Sequence, residues 1–79
     1  MGSIMIFSLE VLAEYRFVIC ATNETGEFTR FRIKDLAVVM SRIIQEKEDI
    51  NNISKELFKA LVASNLLEYN SGNVAFLVC

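Results

Sequence analysis

The sequence predicts a small α+β domain, on three observations. Two stretches rich in β-branched and aromatic residues flank Asn23-Glu24-Thr25-Gly26, which is hairpin chemistry. Leu36, Val39, Met40, Ile43 and Ile44 recur at the spacing of one face of an amphipathic helix. From Asn52 onward the chain reads as a second amphipathic helix, an Asn stop, a short strand, a turn and a final strand. The expected order is an N-terminal β-hairpin, two amphipathic helices, and a C-terminal short β-hairpin or edge strand. With 79 residues there is one domain, assigned to residues 4–79, and Met1-Gly2-Ser3 reads as a cloning remnant.

The first segment supports two local structures. Met5, Phe7, Leu9 and Val11 alternate as a strand would, while Ser8 can cap a short helix built of good helix formers. The reading adopted is a strand over 4–7 and a short helix over 8–14.

Tyr15 to Thr22 and Glu27 to Ile33 form the hairpin. Asn23 suits the first position of a type I turn, and Gly26 supplies the positive φ of a closing bulge. That turn sets Asn23 across from Glu27, hence Ala21 across from Thr29, Ile19 from Phe31 and Phe17 from Ile33. These residues make one apolar face. The other carries Arg16, Val18, Cys20, Thr22, Phe28, Arg30 and Arg32. A shift of one residue would exchange the faces, so the segregation supports the register.

Asp35 caps a helix over 36–47, with Ser41, Arg42, Gln45 and Glu46 opposite the stripe and Val38 off it. Glu48 to Asn52 connects, with Ile50 expected in the core. Asn52 or Asn51 caps the second helix, whose Ile53, Leu57, Phe58, Ala60, Leu61 and Val62 span a wide apolar arc. Asn65 fits a left-handed C-terminal stop, with Leu66 folding back on Leu61. Leu66 to Tyr69 and Val74 to Val78 are expected strands around Asn70-Ser71-Gly72-Asn73. The apolar hairpin face should pack on Leu36, Met40, Ile43, Leu57 and Leu61.

Composition narrows function. Apolar residues are 53% of the chain, more than a domain this short can bury, so self-association or a protein partner is expected. The net charge is −2 and the pI about 5.0, which gives phosphate backbones no general attraction. No apolar run approaches the roughly 18 residues of a membrane span, and no export signal is recognised, so the expectation is a cytoplasmic protein away from membranes.

The chain has no His, which removes imidazole acid–base work, Ser-His and Cys-His nucleophile pairs and His metal sites. Cys20 and Cys79 read as free thiols. Glu46, Glu48 and Asp49 lack the spacing of a calcium loop and read as a solvated helix end. No enzyme, cofactor or metal site is expected.

The positive feature is the second hairpin face. Arg16, Arg30 and Arg32 project together, Lys34 lies just beyond, and Phe28 is interleaved. Guanidinium forks match carboxylates, so an acidic protein surface is one partner; arginine with an aromatic also suits phosphate and stacked bases. Cys20 beside Arg30 reads as a half-exposed strand residue, although a neighbouring guanidinium would lower its thiol pKa.

The stretch from Ile53 to Leu77, with Asn65-Leu66-Leu67-Glu68-Tyr69 after the helix and Asn70 to Asn73 at the tip, resembles the end of winged-helix domains. The resemblance implies a nucleic-acid-binding transcriptional regulator using Lys55 and Lys59 of the recognition helix. Glu56 stands between those lysines, the tip has no cation, and a hairpin precedes the helices where the family places a helix. The preferred reading is a non-catalytic protein-interaction module, an adaptor, inhibitor or regulator, with winged-helix-like nucleic-acid binding as the alternative.

Overall fold

A computed structural model describes residues 4–69. The expected turn at Asn70 to Asn73 and strand at Val74 to Val78 lie outside the described residues. Within them the order is β1 (Met5–Leu12), β2 (Arg16–Asn23), β3 (Phe28–Ile33), α1 (Leu36–Gln45), α2 (Lys55–Ala63) and β4 (Leu67–Tyr69). The strands form one antiparallel sheet in the order β1-β2-β3-β4. The α+β class holds, and the expected hairpin is the centre of this larger sheet.

The hairpin register is the one the turn dictates, with Ile19 opposite Phe31 and Ala21 opposite Thr29. Asn23 shapes the turn. Its Oδ1 accepts from the backbone N–H of Thr25 at 3.0 Å and of Glu27 at 2.9 Å. Gly26 sits at φ 89°, where a side chain is disfavoured.

The short helix expected over 8–14 is absent. Residues 5–12 run as one strand, pairing Leu9 with Ile19 and Glu10 with Val18. Helix propensity is a weak prior, and here the pairing of eight residues with β2 overrides it. Ala13, Glu14 and Tyr15 make the reversal, Glu14 at φ 60° and Tyr15 at φ 64°.

Asp35 caps α1 as expected, accepting from the Val38 N–H at 3.3 Å. The helix stops two residues before the expected end. Lys47 turns left-handed at φ 55°, and the N–H groups of Lys47 and Glu48 bond the carbonyls of Ile44 and Ile43. Asn65 ends α2 the same way, at φ 61°, with Asn65 and Leu66 bonding Val62 and Leu61. Two further expectations fail in the connector. Ser54, not Asn51 or Asn52, caps α2, its Oγ accepting from the Leu57 N–H at 3.1 Å. Ile50 is 41% exposed, and Ile53 takes the core position. Ile50 contributes its carbonyl instead, accepting from the Leu9 N–H at 2.7 Å, while the Ile53 N–H donates to the Phe7 carbonyl at 2.7 Å. The connector thereby covers part of the β1 edge.

Both helices supply one face of the sheet with its core. Phe7, Ile19, Ala21 and Phe31 pack with Val39, Ile43, Ile53, Leu57, Phe58, Leu61 and Leu67. Ile33, Met40 and Leu66 are partly buried against this cluster, and Ile44, expected in the α1 stripe, is exposed. Phe58 organises the centre, stacked on Phe7 at 4.3 Å and edge-on to Phe31 at 5.1 Å.

Candidate interaction surface

The opposite face of the sheet is the candidate site. Strand alternation and register set its side chains in cross-strand rows. Ile6, Thr22 and Phe28 form the first row, and Ser8, Cys20 and Arg30 the second. Glu10, Val18, Arg32 and Glu68 form the third, and Leu12 with Arg16 the fourth. Arg16, Arg30 and Arg32 therefore share one face and are exposed, as is Lys34 just past β3.

Arg30 and Arg32 are not free charges. Arg30 Nε donates to Glu10 Oε1 at 3.2 Å, reaching across β2. The same guanidinium lies 4.7 Å from the centre of the Phe28 ring, a cation–π contact. An Arg32 guanidinium nitrogen donates to Glu68 Oε2 at 2.8 Å. The Lys34 amine donates to Asn65 Oδ1 at 2.8 Å, tying the strand end to the α2 stop. Glu10 and Glu68 belong to the site and were missed in the sequence. Local helix propensity sets Glu10 on a helix, and no sequence signal aligns Glu68 with β3. Extending the alternation of Met5 to Val11 through Leu12 would have put Glu10 on the arginine face.

The middle of the face is closed. Val18 and Cys20 are each 5% exposed, although the strand pattern placed Cys20 half in solvent. They lie on a central strand, between the long side chains of β1 and β3. Burial pushes the Cys20 thiol above its ordinary range, the Glu10 carboxylate adds to this, and Thr22 and Arg30 oppose it. The thiolate-lowering effect of Arg30 is present but outweighed. Phe28 is 53% exposed and Ile6 is also open, so the first row is an apolar edge beside charge.

The residues of the alternative site lie elsewhere. Lys55 and Lys59 are one turn apart on α2, Lys59 exposed and Lys55 half-buried, with Glu56 exposed between them. The acidic connector has structural tasks. A Glu48 carboxylate oxygen accepts from the Ser54 N–H, and Asp49 Oδ1 accepts from the Asn51 N–H at 2.9 Å. Among the described residues no group of three or more Cys, Asp or Glu could hold a metal ion, and no helix is long and apolar enough to cross a membrane.

Comparison of the chain with protein-family models, with curated proteins and with solved structures finds no match.

Proposed function

We propose that this chain is a non-catalytic protein-interaction module, an adaptor, inhibitor or regulator acting in the cytoplasm, and that it docks through the outer sheet face. The observation that carries the reading is exposed Phe28, held under Arg30 and in row with Ile6, on a sheet face that neither described helix covers. Aromatic and arginine side chains dominate the energetics of protein interfaces. The two ion pairs cancel much of the positive charge that an acidic partner or a phosphate chain would seek, which favours a protein partner read by shape and apolar contact.

The test compares the wild-type chain with Arg16→Ala/Arg30→Ala/Arg32→Ala and with Lys55→Ala/Lys59→Ala, all checked for folding by circular dichroism. Cross-linked partners are identified by mass spectrometry, and duplex DNA binding is followed by fluorescence anisotropy. The expected result is a protein partner kept by the lysine variant and lost by the arginine variant. Salt-sensitive duplex binding lost with Lys55 and Lys59 overturns the proposal in favour of the winged-helix reading.

A further inference from the structure

We infer that the open edge of β4 is a docking site for this chain's own residues 74–78, which add there as an antiparallel strand after a turn at Asn70-Ser71-Gly72-Asn73. This surface is separate from the outer face, and the inference does not rest on the interaction reading above.

The two edges of the sheet differ. Along β1 the connector takes the Phe7 carbonyl and the Leu9 N–H. Along β4 no strand among the described residues pairs on the far side. The Lys34 N–H donates to the Leu66 carbonyl at 2.9 Å, so residues 34 and 66 form a hydrogen-bonded pair. By alternation Arg32 and Glu68 form the next, and the backbone groups of Leu67 and Tyr69 aim away from β3. A row of outward N–H and C=O groups beside buried Leu67 is a template for one more strand.

Three observations select the chain's own continuation as the occupant. Residue 70 follows directly on β4, and Asn, Ser and Gly suit a four-residue hairpin loop. That tether gives the segment an effective concentration on the order of millimolar, which a separate protein does not have. Second, Val74-Ala75-Phe76-Leu77-Val78 carries no charge and no Pro, and Val and Phe favour strands. Such a run left in water is a hazard for intermolecular pairing, which closing the edge removes. Third, the faces match. A loop over 70–73 closes on Tyr69 and Val74, pairs Leu67 with Phe76, and sets Glu68 across from Ala75. Phe76 then extends the core face, where Leu66 is partly buried and Val62, on the last turn of α2, is 47% exposed. The small Ala75 falls beside the Arg32–Glu68 pair. A shift of one residue would exchange them, setting Phe76 against the ion pair.

Nuclear magnetic resonance on the full chain, isotope-labelled and reduced, tests the site. The expected result is a contact between the α-protons of Glu68 and Ala75, which face each other in a non-hydrogen-bonded antiparallel pair. The Leu67 and Phe76 amides should exchange slowly, and those of Ala75 and Leu77, aimed away from β4, quickly. Phe76→Asp should abolish the contact and speed exchange at Leu67 about tenfold or more while Ile19 stays slow. Ala75→Thr should keep both. Should Phe76→Asp unfold the chain, the wild-type contact and exchange pattern still decide. A Leu67 amide that exchanges as in an unfolded peptide, or an absent contact between residues 68 and 75, overturns the docked strand. A contact seen only between labelled and unlabelled chains in a mixture places the segment on a second copy and overturns docking within one chain. None of these readouts depends on what the outer face binds.

Discussion

Along β2 the two faces of the sheet bury side chains to nearly the same extent by different means. On the helix side Ile19 and Ala21 are wholly buried beneath the apolar layer of α1 and α2. On the outer side Val18 and Cys20, also on β2, are almost as hidden, but their neighbours are the long, partly solvated side chains of the adjoining strands. A helical layer cannot collapse into a hole without moving backbone, whereas an arginine can re-aim. Equal burial should therefore carry unequal stability, and the helix side should dominate.

The largest effect is expected at Phe58. Phe58→Ala removes the ring stacked on Phe7 and edge-on to Phe31, and should cost about 3–5 kcal/mol by urea unfolding, a large part of what a domain this small possesses. Val18→Ala on the outer face should cost about 1.5 kcal/mol, the transfer of its two lost carbons with little cavity. Equal losses would break the comparison.

The turns come next. Gly26→Val should cost about 1 kcal/mol or more, because a β-branched residue is forced to positive φ. A Cβ there meets nothing within 4 Å, so the loss is conformational and not a clash. A thermal melt unchanged from the parent would remove the support for the outer-face register. Ser54→Ala should cost about 1 kcal/mol as a lost helix cap, and Asn52→Ala much less. The reverse order would restore the cap expected from the sequence.

This second pair shows where the sequence was legible. The hairpin was readable because Asn23 and Gly26 have few other uses, and a single turn type fixes every pair beyond it. Asp35 and Asn65 were readable for the same reason. The connector was not, because Asn51, Asn52 and Ser54 are all good caps. The choice among them is made by Glu48 reaching the Ser54 N–H and by Phe7 accepting from Ile53. Those are tertiary contacts with no local signature. The N-terminal segment failed similarly: Leu9, Glu10 and Leu12 favour a helix locally, and only a paired β2 makes them a strand. The site inherited the error. Three arginines on one face could be seen, but Glu10 could not be placed among them until β1 existed.

Arg32→Ala sharpens the comparison from the outer side. The Arg32–Glu68 pair is about half exposed, and such pairs contribute about 0–1 kcal/mol, falling with salt. The expected loss is at the low end of that range in a thermal melt at moderate ionic strength. A loss as large as that of Phe58→Ala would mean that the ion pairs, and not the helices, hold the sheet.

The smallest effect concerns Cys20 and has a definite sign. Burial holds its thiol above the ordinary value of about 8.5, so the unfolded chain releases this proton first as pH rises. Between the two values the folded state binds more protons. The stabilising contribution is complete below the unfolded pKa and is lost as pH climbs through the folded one. In a Cys79→Ser background the urea midpoint should therefore fall between pH 8 and pH 10, and Cys20→Ala should flatten that part of the fall. Other groups also titrate there, so the measured quantity is the difference between the two proteins. The core face buries no ionisable side chain among the described residues, so the difference reports the outer face alone. Arg30→Ala removes the guanidinium that draws the thiol down, while also uncovering β2. If burial dominates, exposure wins and Cys20 in this variant reacts faster with a thiol reagent at pH 8. If the guanidinium dominates, the reaction slows, and the picture of side chains covering the middle of the outer face fails.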